Sequence, residues 1–108
     1  MVEKILTGAG LVEGKTFTET CFRVPPKTDY AVYLDDITRR GGDGINLITD
    51  HSISIELYEY KKNPNLERKI EAQFDALGVE YEKHSRYWLE KEQLYQVIYD
   101  FEYVEKEK

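Results

Sequence analysis

The chain has 108 residues, and its 15 basic and 21 acidic side chains give a formal net charge of −6 at pH 7. This length predicts a single domain, residues 1–108, with one modest core, while an aromatic content of 13% excludes a disordered chain. The acidic balance argues against a broad grip on nucleic-acid phosphates, and no apolar run approaches the roughly 20 residues of a membrane helix.

The first quarter of the chain predicts a short helix followed by an extended arm. Val2, Ile5, Leu6 and Ala9 recur at helical spacing, which predicts a helix of two or three turns within residues 2–12. Residues 13–24 have no clean period and are interpreted as an arm without an assigned role. The one cysteine, Cys21, cannot form an internal disulfide, so we expect a reducing compartment, and the first residues do not have the pattern of a signal peptide.

The middle of the chain predicts two strands joined by a charged, glycine-rich loop. Residues 30–34 are rich in β-formers and predict a strand that ends near Ile37. Residues 39–44 contain three glycines beside charged residues and predict a loop or hairpin turn. Residues 45–60 alternate apolar and polar side chains, which predicts a strand with one buried face, bent or bulged at Asp50-His51.

The helix predicted after this strand has clear signals at both ends. Asn63 is a good N-cap, Pro64 suits the first helical position, and Gly78 suits the residue that ends a helix. An apolar stripe of Leu66, Ile70, Phe74 and Leu77 predicts the face that packs on the sheet.

The last third of the chain predicts three strands, residues 79–82, 86–89 and 94–104, with a polar turn at 91–93. The predicted order is α-β-β-α-β-β-β. The fold class is therefore α+β: a mostly antiparallel sheet with an N-terminal helix and one central amphipathic helix packed on one face.

The residues that could carry chemistry do not form a recognised site, so we expect a protein that is not an enzyme. His51, His84 and Cys21 match no known metal-ligand spacing, and His51 is interpreted as a surface or strand-edge residue. No cofactor is expected. Two alternatives stay open: a Mg²⁺ site at Asp35 and Asp36 with Asp43 or Asp50, and a nucleophilic Cys21 beside a histidine. Residues 41–44 match no phosphate-binding motif.

Five tyrosines, Tyr58, Tyr60, Tyr95, Tyr99 and Tyr103, are predicted to line one face of the sheet. Their acidic neighbours, such as Glu56 and Glu102, would repel a nucleic acid that stacked on them. We therefore expect a core and a protein-facing surface, since tyrosine offers a large contact area with a polar tip.

The order of these segments resembles a known protein family. The carriers of the resemblance are Tyr30 to Asp36, Ile53 to Tyr58 and Tyr87 to Tyr103, within a region that runs from about Pro25 to Tyr103. The chain resembles the tail-terminator (tail-completion, head-tail joining) proteins of long-tailed phages and prophages of Gram-positive bacteria.

The resemblance implies a non-enzymatic virion protein of the tail or neck, assembled in the cytoplasm of a bacterial host. It implies a ring, typically a hexamer of the chain, that caps the tail tube, ends its polymerisation and provides the surface on which the head docks. The implied partners are further copies of the chain, the tail tube protein and the head-tail connector protein; no membrane partner is expected.

A protein interface is predicted at Arg39, Arg40 and Asp43, whose charges suit an ionic contact with a neighbouring subunit or the tube. The alternative for this loop is a solvated hairpin tip. The alternative functions are a different neck or tail component, a small regulatory protein-binding module, and a small enzyme that uses Asp35, Asp36 and Asp50 with a metal.

Overall fold

The structure, a computed structural model that describes residues 1–42 and 45–106, is an α+β fold. Its elements are two helices and six strands, in the order α1 (Val2–Gly8), β1 (Phe17–Glu19), β2 (Tyr30–Gly42), β3 (Ile45–Glu59), α2 (Pro64–Leu77), β4 (Glu82–Lys83), β5 (Tyr87–Leu89) and β6 (Leu94–Lys106). The strand order across the sheet is β1-β2-β3-β6-β4, and β5 also pairs with β6. All pairings are antiparallel except that of β1 with β2, so the predicted fold class is confirmed.

The core lies between one face of the sheet and the two helices. Side chains from α1 and α2 join the odd-numbered side chains of the central strands in one buried apolar cluster. Its members with no exposed surface are Ile5, Leu6, Phe17, Ala31, Ile55, Leu57, Ile70, Phe74, Val97 and Tyr99. The opposite face, which we call the open face, carries the even-numbered side chains of β2, β3 and β6.

Helix α2 forms as its sequence predicts. The Asn63 side chain accepts a hydrogen bond from the Leu66 N–H at 3.1 Å, Pro64 begins the helix, and Gly78 ends it in the left-handed conformation (φ 66°). Ile70 and Phe74 are fully buried, but Leu77 is 40% exposed, so the predicted stripe is one residue too long. The last turn passes the edge of the core before Leu77 can contact it.

The predicted arm within residues 13–24 contains a strand that the sequence did not reveal. Residues 17–19 pair in parallel with Ala31, Val32 and Tyr33 of β2. Phe17 is fully buried, and this one anchor fixes the strand, although three residues are too few for a period to show. The predicted strand at 79–82 is also displaced, since only Glu82–Lys83 pairs with β6.

The hairpin of β2 and β3 is longer than predicted. β2 does not end near Ile37 but continues to Gly42, so the first residues assigned to the glycine-rich loop, 39–42, are strand. No bulge occurs at Asp50-His51, because register is continuous from Ile48 to Tyr58; the irregularity lies between Arg40 and Gly42. Glycine accommodates such a bulge without a side-chain clash. The glycines at 41 and 42 therefore shift the register of the pairing, while the strand itself continues.

Candidate protein interface

A three-stranded ribbon extends past the core. We call residues 36–42 of β2, 45–52 of β3 and 102–106 of β6 the projecting ribbon; they remain paired to one another along this length. The buried apolar residues of the core end at Ile53 on β3 and at Phe101 on β6, with Tyr103 packed against them. Ile37, two residues beyond Asp35, the partner of Ile53, is already 49% exposed. The molecule measures 50 × 30 × 24 Å, with a radius of gyration of 15.2 Å, against about 13 Å expected for a compact chain of this length.

Both long edges of the projecting ribbon are unpaired within the part of the chain that the structure describes. β1 covers only Ala31, Val32 and Tyr33 of β2, which leaves residues 34–42 as a free edge. β4 and β5 cover β6 only as far as Asp100, which leaves residues 101–106 free on the other side. A free edge presents backbone N–H and C=O groups that can pair with another chain, so these two edges are the clearest candidate interface of the molecule.

The two predicted interface arginines lie on this ribbon, on opposite faces of β2. Arg40 lies on the open face, and its Nε donates to Asp50 Oδ2 at 2.7 Å. This hydrogen bond raises the pKa of Arg40, and it lowers the pKa of Asp50. Arg39 lies on the helix face and forms no ion pair with any described residue. Asp43 lies outside the described residues.

His51 joins all three strands near the base of the ribbon. Its Nδ1 lies 2.9 Å from Asp35 Oδ2 on β2, and its Nε2 lies 3.1 Å from Glu105 Oε1 on β6. The ring also stacks on Tyr103 at 4.3 Å. Burial acts to lower the pKa of His51, but the hydrogen bonds with the two carboxylates outweigh it, so the pKa is raised.

The expectation of a surface histidine is therefore wrong, because His51 is only 8% exposed. The alternation of apolar and polar residues along β3 does predict the correct face, since His51 and Ile53 are both odd-numbered and lie on the same side of the sheet. Its two partners come from strands 16 and 54 residues away, and only the register of the sheet brings them to it.

The candidate metal residues do not converge. Asp35 and Asp36 are adjacent in β2 and point to opposite faces; Asp35 binds His51, and Asp50 on the open face binds Arg40. Among residues 1–42 and 45–106, no group of three or more His, Cys, Asp or Glu side chains is placed to hold a metal ion. Cys21 is exposed.

Ser54, Asp100 and His84 form a second hydrogen-bonded row on the open face. Ser54 Oγ donates to Asp100 Oδ1 at 2.5 Å, and His84 Nε2 lies 2.7 Å from Asp100 Oδ2. A nucleophilic serine needs the histidine as its direct neighbour, and here the aspartate stands between them. The row therefore stabilises the surface of the sheet and does not activate Ser54.

An ionic cluster around two buried glutamates, which no sequence pattern indicated, joins α2 to β3 and to the segment before β5. Arg86 donates to Glu67 Oε2 at 2.5 Å and to Glu59 Oε1 at 3.3 Å, and Lys83 Nζ lies 2.9 Å from Glu67 Oε1. Glu59 has no exposed surface, and its Oε2 has no partner among the described donors.

Burial of this unpartnered oxygen disfavours the charged form of Glu59. Burial, together with the hydrogen bond and the negative charge of Glu67, raises the pKa of Glu59 to about 7. Burial would also raise the pKa of Glu67, but hydrogen bonds with Glu59, Lys83 and Arg86 outweigh it and lower that pKa. The two pKa values shift in opposite directions, so Glu59 is the member of the pair that binds a proton more readily.

The tyrosines predicted on one face are divided between two. Tyr99 has no exposed surface and its O–H donates to Glu71 at 2.7 Å on the helix face. Tyr58 lies on the open face, stacked on Tyr30 at 5.0 Å. The remaining side chains of this face include Asp36, Glu56 and Glu102, so its charge stays unfavourable for a nucleic acid.

No family model matches the chain, and no curated protein matches it in sequence. Among solved structures, the fold is similar to that of a chain in the virion of a native gene transfer agent particle, with a TM-score of 0.56 and 13% identity. The match covers 82% of this chain and 77% of the other. At this identity the likeness shows a shared fold. No helix of the described residues is long and apolar enough to cross a membrane.

Proposed function

We propose that the chain is a non-enzymatic structural protein of a phage-like virion. The observation that carries this proposal is the shared fold with a chain of a gene transfer agent virion, over 82% of the length. The ribbon agrees with such a role, because two free strand edges are a liability in a monomer and are useful in an assembly.

Within the virion, we propose the role of a tail terminator: a ring, taken as a hexamer, that caps the tail tube, stops its polymerisation and offers a docking surface to the head connector. The support is the sequence resemblance together with the shape of the molecule. A cyclic ring needs two different, complementary patches on each subunit, and the proposal is supported by the two different free edges of the projecting ribbon.

The experiment adds the purified protein to the tail tube protein encoded in the same genome while that protein polymerises. Electron microscopy then gives the tube lengths and the fraction of tube ends that carry extra density. We expect shorter tubes with a cap at one end. Tubes of unchanged length with bare ends would contradict the capping role, and binding along the whole tube would indicate a different tail component.

A matched pair of charge reversals tests the predicted interface. Arg39→Glu with Arg40→Glu should reduce capping, because it reverses the charges on the projecting ribbon. Lys61→Glu with Lys62→Glu makes the same change in net charge in the connection between β3 and α2, at the far end of the hairpin, and should leave capping intact. Equal loss in both variants would assign the effect to net charge and not to the ribbon.

A further inference from the structure

We infer that copies of this chain join by parallel strand pairing, in which the free β2 edge of one copy adds to the free β6 edge of the next. This inference rests on the proposed function for its occupant, a second copy of the chain, and specifies which surfaces meet.

The hydrogen bonds at the covered part of the β2 edge define the groups that point outward beyond it. The Ala31 N–H donates to Thr16 at 2.9 Å, and the Tyr33 C=O accepts from the Thr20 N–H at 2.8 Å. Odd-numbered residues of β2 therefore direct their backbone groups away from β3. By the same alternation, Asp35, Ile37 and Arg39 present outward N–H and C=O groups along the free part of the edge.

The β6 edge is defined in the same way. The Ile98 C=O accepts from the His84 N–H at 2.9 Å, so even-numbered residues of β6 point away from β3. Glu102, Val104 and Lys106 then present the outward groups on the free part. Each edge thus carries three residues with free backbone donors and acceptors, one set matching the other in number and spacing.

The direction of the strands allows a continuous sheet. β2 and β6 are both antiparallel to β3, so they run parallel to each other. In a parallel ladder, an outward residue lies opposite a residue of the other strand that is flanked by two outward ones. Within the free segments, odd residues of β2 therefore face odd residues of β6, and the helix face of one ribbon continues into the helix face of the next. The covered parts of the two strands carry β1 and β4 and diverge from each other below this contact. Such a contact is heterologous and can close into a ring.

Charge complementarity favours this pairing. Arg39 has no ion pair among the described residues, and Glu105 is 60% exposed with only its Oε1 bonded to His51. Both lie on the helix face. In one register Ile37 lies opposite the neighbour's Tyr103, and Arg39 then lies opposite the neighbour's Glu105. In the register shifted by two residues, Arg39 lies opposite Tyr103 and is diagonal to Glu105. Opposite charges in either position stabilise paired strands.

Exposed apolar side chains on the same edges supply the remaining contact. Ile37 is 49% exposed and Leu34 is 43% exposed on β2, and Val104 is 53% exposed on β6. Strand addition would bring these side chains beside a neighbouring chain, which removes apolar surface from water.

Site-specific cross-linking tests the pairing. All variants carry Cys21→Ser, so the only thiol is the introduced one. A copy with Ile37→Cys is mixed with a copy with Tyr103→Cys and oxidised, both alone at high concentration and on tail tubes. A second mixture uses Arg39→Cys with Tyr103→Cys to test the other register. We expect a disulfide dimer in one of these mixtures and none when Lys69→Cys, on the exposed face of α2, replaces Tyr103→Cys.

Ile37→Pro is the functional counterpart. Position 37 donates its N–H outward, so proline leaves the β2–β3 ladder intact and removes one donor from the edge. We expect self-association, measured by sedimentation, to weaken at least about tenfold, while Ile37→Thr, which keeps the donor, should weaken it less. A circular dichroism spectrum and unfolding midpoint like those of the parent protein would show that Ile37→Pro folds.

The outcomes separate this inference from the proposed function. Caps on tail tubes without a cross-link between positions 37 or 39 and 103 would overturn the strand pairing and keep the capping role. Cross-linked rings that leave tubes uncapped would support the strand pairing and overturn the capping role. Cross-links between two copies of Ile37→Cys would show antiparallel β2–β2 pairing, and a monomer both in solution and on tubes would exclude self-pairing; either result overturns the inference.

Discussion

The helix-covered body and the projecting ribbon belong to the same three long strands, yet different forces hold them in place. In the body, Ile55, Leu57 and Val97 have no exposed surface and pack beneath two helices. In the ribbon, apolar side chains such as Ile37 are half exposed, and the contacts between strands are backbone hydrogen bonds and ionic bonds such as that of Arg40 with Asp50. The body therefore carries the stability, and the ribbon is free to carry an interface.

The largest expected effect is a break in the body. Phe74 has no exposed surface and contacts the rings of Tyr81 and Phe101 at centroid distances of 4.4 and 5.1 Å. Phe74→Ala should lower the free energy of unfolding by about 3–5 kcal/mol, because it removes a large apolar group and leaves a cavity.

Urea unfolding measures this effect, with Ile37→Ala on the ribbon as the matched control. The control should change the free energy by less than about 0.5 kcal/mol. Similar losses for the two variants would mean that the ribbon shares the burial of the body and that the contrast between them is wrong.

The raised pKa of Glu59 gives the stability of the body a pH dependence. The folded-state pKa of about 7 lies above the ordinary value of about 4.3. The folded state thus binds more protons between these values, and its stability falls as the pH rises from about 4.5 to about 7. The expected loss from Glu59 across this window is about 2–3 kcal/mol.

Urea midpoints across pH 4.5 to about 8 measure this dependence. Glu59→Gln should flatten the profile, because glutamine keeps the shape of the neutral acid and cannot titrate. Glu102→Gln, on the open face, should leave the slope in place. A parent profile that rises with pH over the same window would show that Glu59 is ionised in the folded state and that Arg86 compensates two charges.

A smaller effect is expected at the end of α2. Gly78 has φ 66°, and a Cβ placed there would meet no atom within 4 Å. Gly78→Ala should therefore cost about 1 kcal/mol through backbone conformation alone. Gly14 is also left-handed, in an open turn outside the helices. Lys69→Ala is the control within α2, because Glu71, the other candidate, is hydrogen bonded. The thermal midpoint should fall for Gly78→Ala and stay unchanged for Lys69→Ala.

The parts that were predictable are those where a local signal agrees with the tertiary fold. Asn63, Pro64 and Gly78 determine both ends of α2 from within 16 residues of sequence, and alternation assigns the buried face of β3. The glycine-rich segment shows the opposite case. Residues 39–42 have the composition of a turn, and they form strand because β3 supplies pairing partners for Arg39, Arg40 and Gly42. The amino-acid composition of a segment indicates its local conformational preference, and pairing with a neighbouring strand can override that preference.

The contacts around the candidate interface were not predictable from the sequence. Arg39 and Arg40 lie at the extended end of the hairpin, and both were expected to contact a partner molecule, whereas Arg40 binds Asp50 of its own chain across the ladder. His51 with Asp35 and Glu105, and Glu59 with Glu67 and Arg86, are joined by register and packing. Such contacts have no signature in the sequence, because their members lie far apart along the chain.

The smallest expected effect on stability sharpens the comparison from the side of the ribbon. Arg40→Ala removes the bond to Asp50, whose partners are 58% and 36% exposed. At this exposure water screens the attraction, and ordering two side chains offsets much of the remainder. We expect an unfolding midpoint equal to that of the parent within error, at low and at high salt. The same variant should change capping of tail tubes only slightly, whereas Arg39→Ala should weaken it more, since Arg39 has no partner within the described chain and Arg40 is already paired. A larger effect of Arg40→Ala than of Arg39→Ala on capping would mean that the open face, and not the helix face, meets the neighbour.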